Sequence, residues 1–260
     1  NGALLQDPLD DAQGSVNVVS DADHAAAKIF NDGSFLYFRL RLDKDPTPNG
    51  QNSGELSAFA WGVLLETDGI LNTYEYMVMI DGLVNPEVIR LRQNSIQQSL
   101  DDPSDKTEDP TLGTPESLDD GVNFRLVAAD TSLDGEQDYF LDWRLSYSLL
   151  KTEASLTDSS PIRLFFGSSN SSSTNLKEQG ADLVGTDIDG GGLSLSEGWS
   201  DPITPLGGAV ANNGPTANDD ADAVDEDQTV IVDVIGNDTD PDSDPLTVFS
   251  IGAVSNGSAV

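Results

Sequence analysis

The sequence predicts an all-β protein: an antiparallel β-sandwich followed, after a linker, by a second and shorter β region. Three observations predict it. Apolar residues recur at every second position through much of the first 200 residues, the period of a half-buried strand. No long stretch carries the 3.6-residue period of an amphipathic helix. The segments between the alternating runs are rich in Gly, Pro, Asn, Asp and Ser, the residues of turns.

The first hairpin is read from Ala27–Phe30, a turn at Asn31-Asp32-Gly33, and Phe35–Leu42. In the second strand Leu36, Phe38, Leu40 and Leu42 form one apolar face, and Phe35, Tyr37, Arg39 and Arg41 the other. Phe59, Trp61, Val63 and Leu65 repeat the pattern, as do Tyr74, Tyr76, Val78 and Ile80, with Glu66–Asn72 as the turn between them. Val88–Leu91 is a further strand. Val122, Phe124, Leu126 and Ala128, then Tyr139, Leu141, Trp143 and Leu145, give two more. Ser146–Lys151 reads as one short helical turn and Ile162–Gly167 as a short apolar strand. Asp43–Gly54 and Leu100–Asp120 read as long polar connections, and Ser168–Ser173 is almost pure Ser and Asn. Antiparallel strands of this kind close as a sandwich with Greek-key or jelly-roll connections. The Pro- and Gly-containing stretch 205–215 is the linker, which divides the chain into a sandwich at 1–204, the linker, and a second β region at 216–260.

Composition narrows the function. With 46 acidic and 12 basic residues the formal net charge is −34. Phosphate backbones need a basic surface, so nucleic acid is excluded as the expected partner. An anionic membrane is disfavoured by the same charge, and no apolar run reaches the ~20 residues of a membrane helix. There is no cysteine and one histidine, His24. Disulfides, thiol catalysis and multi-histidine metal sites are therefore excluded, and His24, in Asp-Ala-Asp-His-Ala, reads as a surface residue. Gly190–Gly192 lacks the lysine and helix of a phosphate loop. Two acid pairs, Glu66 with Asp68 and Glu136 with Asp138, have the residue types of a glycosidase acid and base, but such pairs are drawn from separate strands. The chain is accordingly expected not to be an enzyme.

What the acids offer is oxygen ligands. Calcium takes six to eight of them, from carboxylates, carbonyls and water. Asp238, Asp240, Asp242 and Asp244 stand on alternate residues of one tight segment, with Asn237 beside them. The compact turn Asp134-Gly-Glu136-Gln-Asp138 precedes a strand and is the best calcium candidate of the first domain. Asp7, Asp10 and Asp11 form another group, Asp21 and Asp23 another, and Asp182, Asp187 and Asp189 a fourth. The alternative for each is a charged turn held by Asx hydrogen bonds. Trp61 and Trp143 lie on the apolar strand faces and belong to the core, which leaves Trp199, in Glu-Gly-Trp-Ser-Asp-Pro, as the best exposed aromatic for a sugar.

Two resemblances extend this reading. Residues 218–251, with two acidic clusters flanking Thr229-Val-Ile-Val-Asp-Val-Ile, resemble the opening of a bacterial cadherin-like or Ig-like tandem repeat. The fold class is then an antiparallel sandwich of jelly-roll or Ig-like topology followed by a partial Ig-like domain, since such a sandwich takes about 90–100 residues. The resemblance implies a non-enzymatic structural or adhesion protein of a bacterial cell surface or surface fibre. It also implies calcium at the domain junction, where Asp219, Asp220 and Glu226 stand. Either the repeat continues beyond Val260, or the incomplete sandwich is closed by strand pairing into homo-oligomers or fibres, with Asn1–Leu9 as a candidate donor. Separately, Asp7-Pro-Leu-Asp10-Asp11, Asp32-Gly-Ser-Phe-Leu-Tyr-Phe-Arg-Leu-Arg-Leu42, Trp61-Gly-Val-Leu-Leu-Glu-Thr-Asp68, Tyr74-Glu-Tyr76 and Asp142-Trp-Arg-Leu-Ser-Tyr-Ser-Leu-Leu150 resemble family 9 carbohydrate-binding modules and DOMON-like sandwiches across roughly residues 5–185. That likeness implies the alternative function: a polysaccharide-binding module carried on an Ig-like spacer.

Overall fold

The computed structural model describes residues 5–9, 12, 14–48, 56–108, 111–177, 181–185, 192–204, 216–225, 228–239 and 248. The chain divides into two compact units, Asn1–Val210 and Ala211–Val260.

The first unit is a two-layer antiparallel sandwich. Its strands are β1 (Ala27–Asn31), β2 (Phe35–Leu42), β3 (Ala60–Glu66), β4 (Tyr76–Asp81), β5 (Val88–Gln93), β6 (Thr111–Ser117), β7 (Phe124–Ala128), β8 (Tyr139–Ser146) and β9 (Arg163–Ser169). Two short helices, α1 (Tyr147–Glu153) and α2 (Leu195–Gly198), complete it. One sheet has four strands in the order β1-β2-β8-β7, the other five in the order β6-β5-β4-β3-β9. The chain changes sheet between β2 and β3, between β6 and β7, and between β8 and β9. Gly33, at φ 92°, sits in the β1–β2 turn where a side chain would be strained.

The alternation selects the inner faces as expected. Leu36, Phe38, Leu40, Leu141, Trp143 and Leu145 from the smaller sheet meet Trp61, Val63, Leu65, Val78, Ile80, Leu91 and Phe166 from the larger. Trp143 stacks on Phe38 with ring centroids 5.5 Å apart.

Three features depart from the sequence reading. The larger sheet is not half-buried: Ala60, Leu64, Met77, Met79 and Phe165 on its outer face form a second apolar cluster with Leu176, Leu183, Leu193 and Leu195. Residues of the chain after β9 supply that cover, so β3 and β4 are buried at every position. Tyr74 precedes β4 and belongs to this second cluster, out of phase with Tyr76. The stretch expected as one long connection from Leu100 to Asp120 contains a strand, β6, whose register with β5 shifts between Ile89 and Leu91. Its sequence Thr-Leu-Gly-Thr-Pro-Glu-Ser carries Pro and Gly, which suit an edge strand and conceal it from a periodicity reading.

In the second unit an antiparallel bridge joins Thr216 to Thr239. The run from Val230 to Ile235, read as strand-like, forms no strand among the described residues and is exposed, Ile231 at 93%. No described second layer faces it, so nothing there selects an extended register by burial.

Candidate functional site

The sandwich gathers acids at one end of β2. After Leu42 the alternation would point Asp43 outward, yet it is only 4% exposed. The reason is the segment before β1: Val18 bridges Leu42, and the Asp43 N–H donates to the Asn17 carbonyl at 3.0 Å. From the other side comes the loop between β7 and β8. Gly135, at φ 101°, turns the chain tightly between Asp134 and Glu136, and the Glu136 N–H donates to Asp134 Oδ1 at 2.9 Å. Carboxylate oxygens of Asp43, Asp134 and Glu136 lie within 4.8 Å of one another. Two oxygens on opposite sides of one calcium ion, at about 2.4 Å each, span that distance.

The electrostatics mark the same place. Asp43 Oδ1 is buried with no donor in hydrogen-bonding geometry among the described residues, while the Asn17 side chain lies close enough to favour the charged form of the carboxyl. Burial and the neighbouring Asp134 push the Asp43 carboxyl up to about 6. The Glu136 amide holds Asp134 below the usual carboxylate range. Lys44 is the local cation, 2.8 Å from Glu136 and 3.7 Å from Asp43. Half of its side chain is exposed, so it can swing into water when a divalent ion arrives. The donor set is all oxygen, with one buried acceptor unused, and it fits a hard cation such as calcium.

The third acid read from this turn, Asp138, is wired differently. It forms a buried ion pair with Arg41, Nη2 to Oδ2 at 2.6 Å, both side chains at most 2% exposed. Arg41 also donates to the Thr131 carbonyl at 2.9 Å and hydroxyl at 2.7 Å. Burial raises the Asp138 pKa while Arg41 opposes the rise. Asp138 thus anchors the loop whose tip carries Asp134 and Glu136.

A second three-acid cluster, Glu66, Asp68 and Glu75, lies at the β3–β4 turn. Glu66 accepts the N–H groups of Asp68 at 2.6 Å and of Gly69. Glu75 accepts the Thr67 N–H at 2.7 Å, and burial pushes its carboxyl up to about 7. These carboxylates are acceptors for one turn's backbone, the arrangement of a capped turn.

Of the remaining candidates, Asp182 accepts the Val18 N–H at 2.5 Å and Asp7 Oδ1 accepts the Gly185 N–H at 3.1 Å; both tie loops to the sandwich. Asp21 holds His24 at 2.7 Å, part-exposed, and Asp23 is exposed. In the second unit Asp238 accepts the Asn218 N–H at 2.8 Å, and Asp219 and Asp220 are exposed. Asp10, Asp11, Asp187, Asp189, Glu226, Asp240, Asp242 and Asp244 lie outside the described residues. Trp199 is part-buried: its ring meets Phe165 edge-on at 5.9 Å and its Nε1–H donates to the Leu71 carbonyl at 2.7 Å. It covers the second apolar cluster, whereas Phe30, at 64%, is a far more exposed ring.

Sequence reasoning found Asp134 and Glu136 but missed Asp43, which lies in another segment and is brought in by pairing that no local pattern announces. The only sequence signal was an acid directly after the last alternating residue of β2.

Comparison with known proteins bears on the second unit. Residues 212–260 match the bacterial Ig domain family, as the acidic repeat-like segment implied. No curated protein and no solved structure matches the chain. The resemblance of the first unit to family 9 carbohydrate-binding modules and DOMON-like sandwiches is unsupported.

Proposed function

We propose that this chain is a non-enzymatic, extracellular, adhesion-type component of a bacterial cell surface, in which a sandwich unit is joined to an Ig-like unit. The match of residues 212–260 to the bacterial Ig domain carries this reading, since bacterial Ig-like domains are common in surface proteins. Calcium is the second part of the proposal. Asp43, Asp134 and Glu136 would hold it, joining the segment after β2 to the β7–β8 loop; the buried unpaired oxygen of Asp43 supports that site. Strand pairing between copies is the third part, and the exposed run from Val230 to Ile235 is what a neighbour's strand would cover. The proposed donor is less free than its sequence suggests, because the Leu5 carbonyl accepts the Ala26 N–H at 2.9 Å and Asp7 bonds Ser20.

The location is tested by labelling intact, unpermeabilised cells of the producing bacterium with an antibody against the sandwich. Surface labelling is expected, and labelling only after permeabilisation contradicts the reading. Sedimentation velocity across a concentration series tests strand pairing.

A further inference from the structure

Among the described residues the smaller sheet keeps its outer face open, and that face does not share the character of the rest of the chain. Besides Val127, Ser146 and the buried Arg41, its outward positions are Lys28 and Phe30 on β1, Phe35, Tyr37 and Arg39 on β2, Arg125 on β7, and Phe140, Asp142 and Arg144 on β8. Lys28, Arg39, Arg125 and Arg144 are four of the chain's 12 Lys and Arg residues. Asp142 is the one carboxylate among these positions, with Asp32 at the rim bonded to the Tyr37 hydroxyl at 2.8 Å. Strand register sets Lys28, Arg39, Asp142 and Arg125 side by side across all four strands, a row about 14 Å wide at the usual ~4.8 Å strand spacing. Asp142 is shared: Arg39 reaches it at 2.6 and 2.8 Å and Arg125 at 3.0 and 2.6 Å. One carboxylate therefore sits between two guanidiniums, and the row keeps a net positive charge.

Aromatic rings stand beside this row. Phe30 and Tyr37 lie with centroids 5.9 Å apart and planes tilted by 38°, and Phe30 is 64% exposed. Arg39 lies over Phe140 at 4.4 Å and Arg144 over Phe35 at 3.7 Å, which holds both guanidiniums in place. Two open grooves, of about 300 and 320 Å³, run along the face and share Tyr37, Arg125 and Asp142.

We propose that this face binds an anionic polysaccharide, its uronate or sulfate groups on Lys28, Arg125 and Arg39 and a sugar ring on Phe30 and Tyr37. Guanidiniums recognise carboxylate and sulfate with paired hydrogen bonds, and a flat exposed ring takes the C–H face of a pyranose. The overall charge of −34 selects the occupant. A glycan strand lying along the row meets Lys28, Arg39 and Arg125 against the one carboxylate of Asp142, and charges farther off than a Debye length of about 8–10 Å are largely screened. A second copy of the chain, or a nucleic-acid duplex, would bring its own large negative field against the acidic flanks. The proposal supplies a ligand for the adhesion reading but does not depend on calcium or on the Ig-like unit.

The test is affinity electrophoresis of the whole chain in gels containing polygalacturonate, alginate, heparin, neutral dextran or duplex DNA, all with EDTA present so that calcium cannot bridge two polyanions. Retardation by at least one anionic polysaccharide, absent with dextran and DNA and weakened by salt, is expected. The double variant Lys28→Gln/Arg125→Gln should lose at least 10-fold in affinity, and Phe30→Ala, at an exposed position, several-fold, with unchanged melting temperatures for Phe30→Ala. Equal retardation by dextran, retardation only when calcium replaces EDTA, insensitivity to both variants, self-association in place of glycan binding, or no retardation at all would each overturn the proposal.

Discussion

Among the described residues two clusters of three carboxylates sit in the sandwich, and they share their number of acids but not their wiring. At Glu66, Asp68 and Glu75 the oxygens accept backbone N–H groups of the turn they belong to. At Asp43, Asp134 and Glu136 the acids come from two segments far apart in sequence, and one buried oxygen has no donor among the described residues. A carboxylate that caps its own turn has donors for its oxygens, even where burial raises its pKa as at Glu75. A carboxylate buried without a donor raises the energy of the apo protein, either by holding a proton or by awaiting a cation. Counting acids cannot tell these apart; the partner of each oxygen does.

The comparison can be broken most severely beside the Asp43, Asp134 and Glu136 cluster. Arg41→Ala should leave Asp138 buried without its cation and destabilise the sandwich by about 3–5 kcal/mol, read by urea unfolding, with the Asp134–Glu136 loop losing its anchor. Next in size is calcium itself. At 100-fold excess over Kd a ligand of the native state adds about 2.7 kcal/mol, roughly 5–10 °C in melting temperature for a unit of this size. The rise should appear with calcium, vanish with chelator, and be absent in Asp43→Asn. An equal rise in Asp43→Asn would move the site elsewhere. Glu66→Ala should cost about 1–3 kcal/mol through two unsatisfied turn amides, and leave the calcium shift intact.

The smallest effect is the dependence on pH. The folded Asp43 carboxyl is raised to about 6, so between about 4 and 6 the native state binds more protons than the unfolded chain. Its contribution to apo stability is therefore present at low pH and is lost as pH rises through 6. Calcium stabilisation should run the other way, growing as pH rises through 6 and the carboxylate is freed. Glu75, raised to about 7, titrates nearby, so the difference between wild type and Asp43→Asn isolates the effect. Parallel pH profiles for the two proteins would remove Asp43 from the account.

The strands were legible because one face of each lies on the core. In β2 and β8 the alternation runs the length of the element, and Leu36, Phe38, Leu141 and Trp143 pack where it puts them. The same rule misled at β3 and β4, where Leu176, Leu183, Leu193 and Leu195 from the chain after β9 cover the other face, so that both sides are apolar. It also missed β6, whose edge position tolerates Pro and Gly and needs no apolar face. Trp199 read as exposed because its neighbours are polar, and Phe165 beneath it was invisible from there. The open face of the smaller sheet was half legible: Phe35, Tyr37, Arg39 and Arg41 were seen as one face of β2, but their alignment with Lys28, Asp142 and Arg125 is a matter of register.

By itself the sequence determined the all-β class, the acidic character, the Ig-like second unit and the turn that carries Asp134 and Glu136, because composition, period and turn chemistry are local. Tertiary structure alone decided that Asp43 joins that turn, that Asp138 leaves it for Arg41, and that Lys28, Arg39 and Arg125 line up on one sheet. Those outcomes depend on which strands pair and in what register, and pairing is fixed by burial summed over the whole sandwich rather than by any residue's neighbours in the chain.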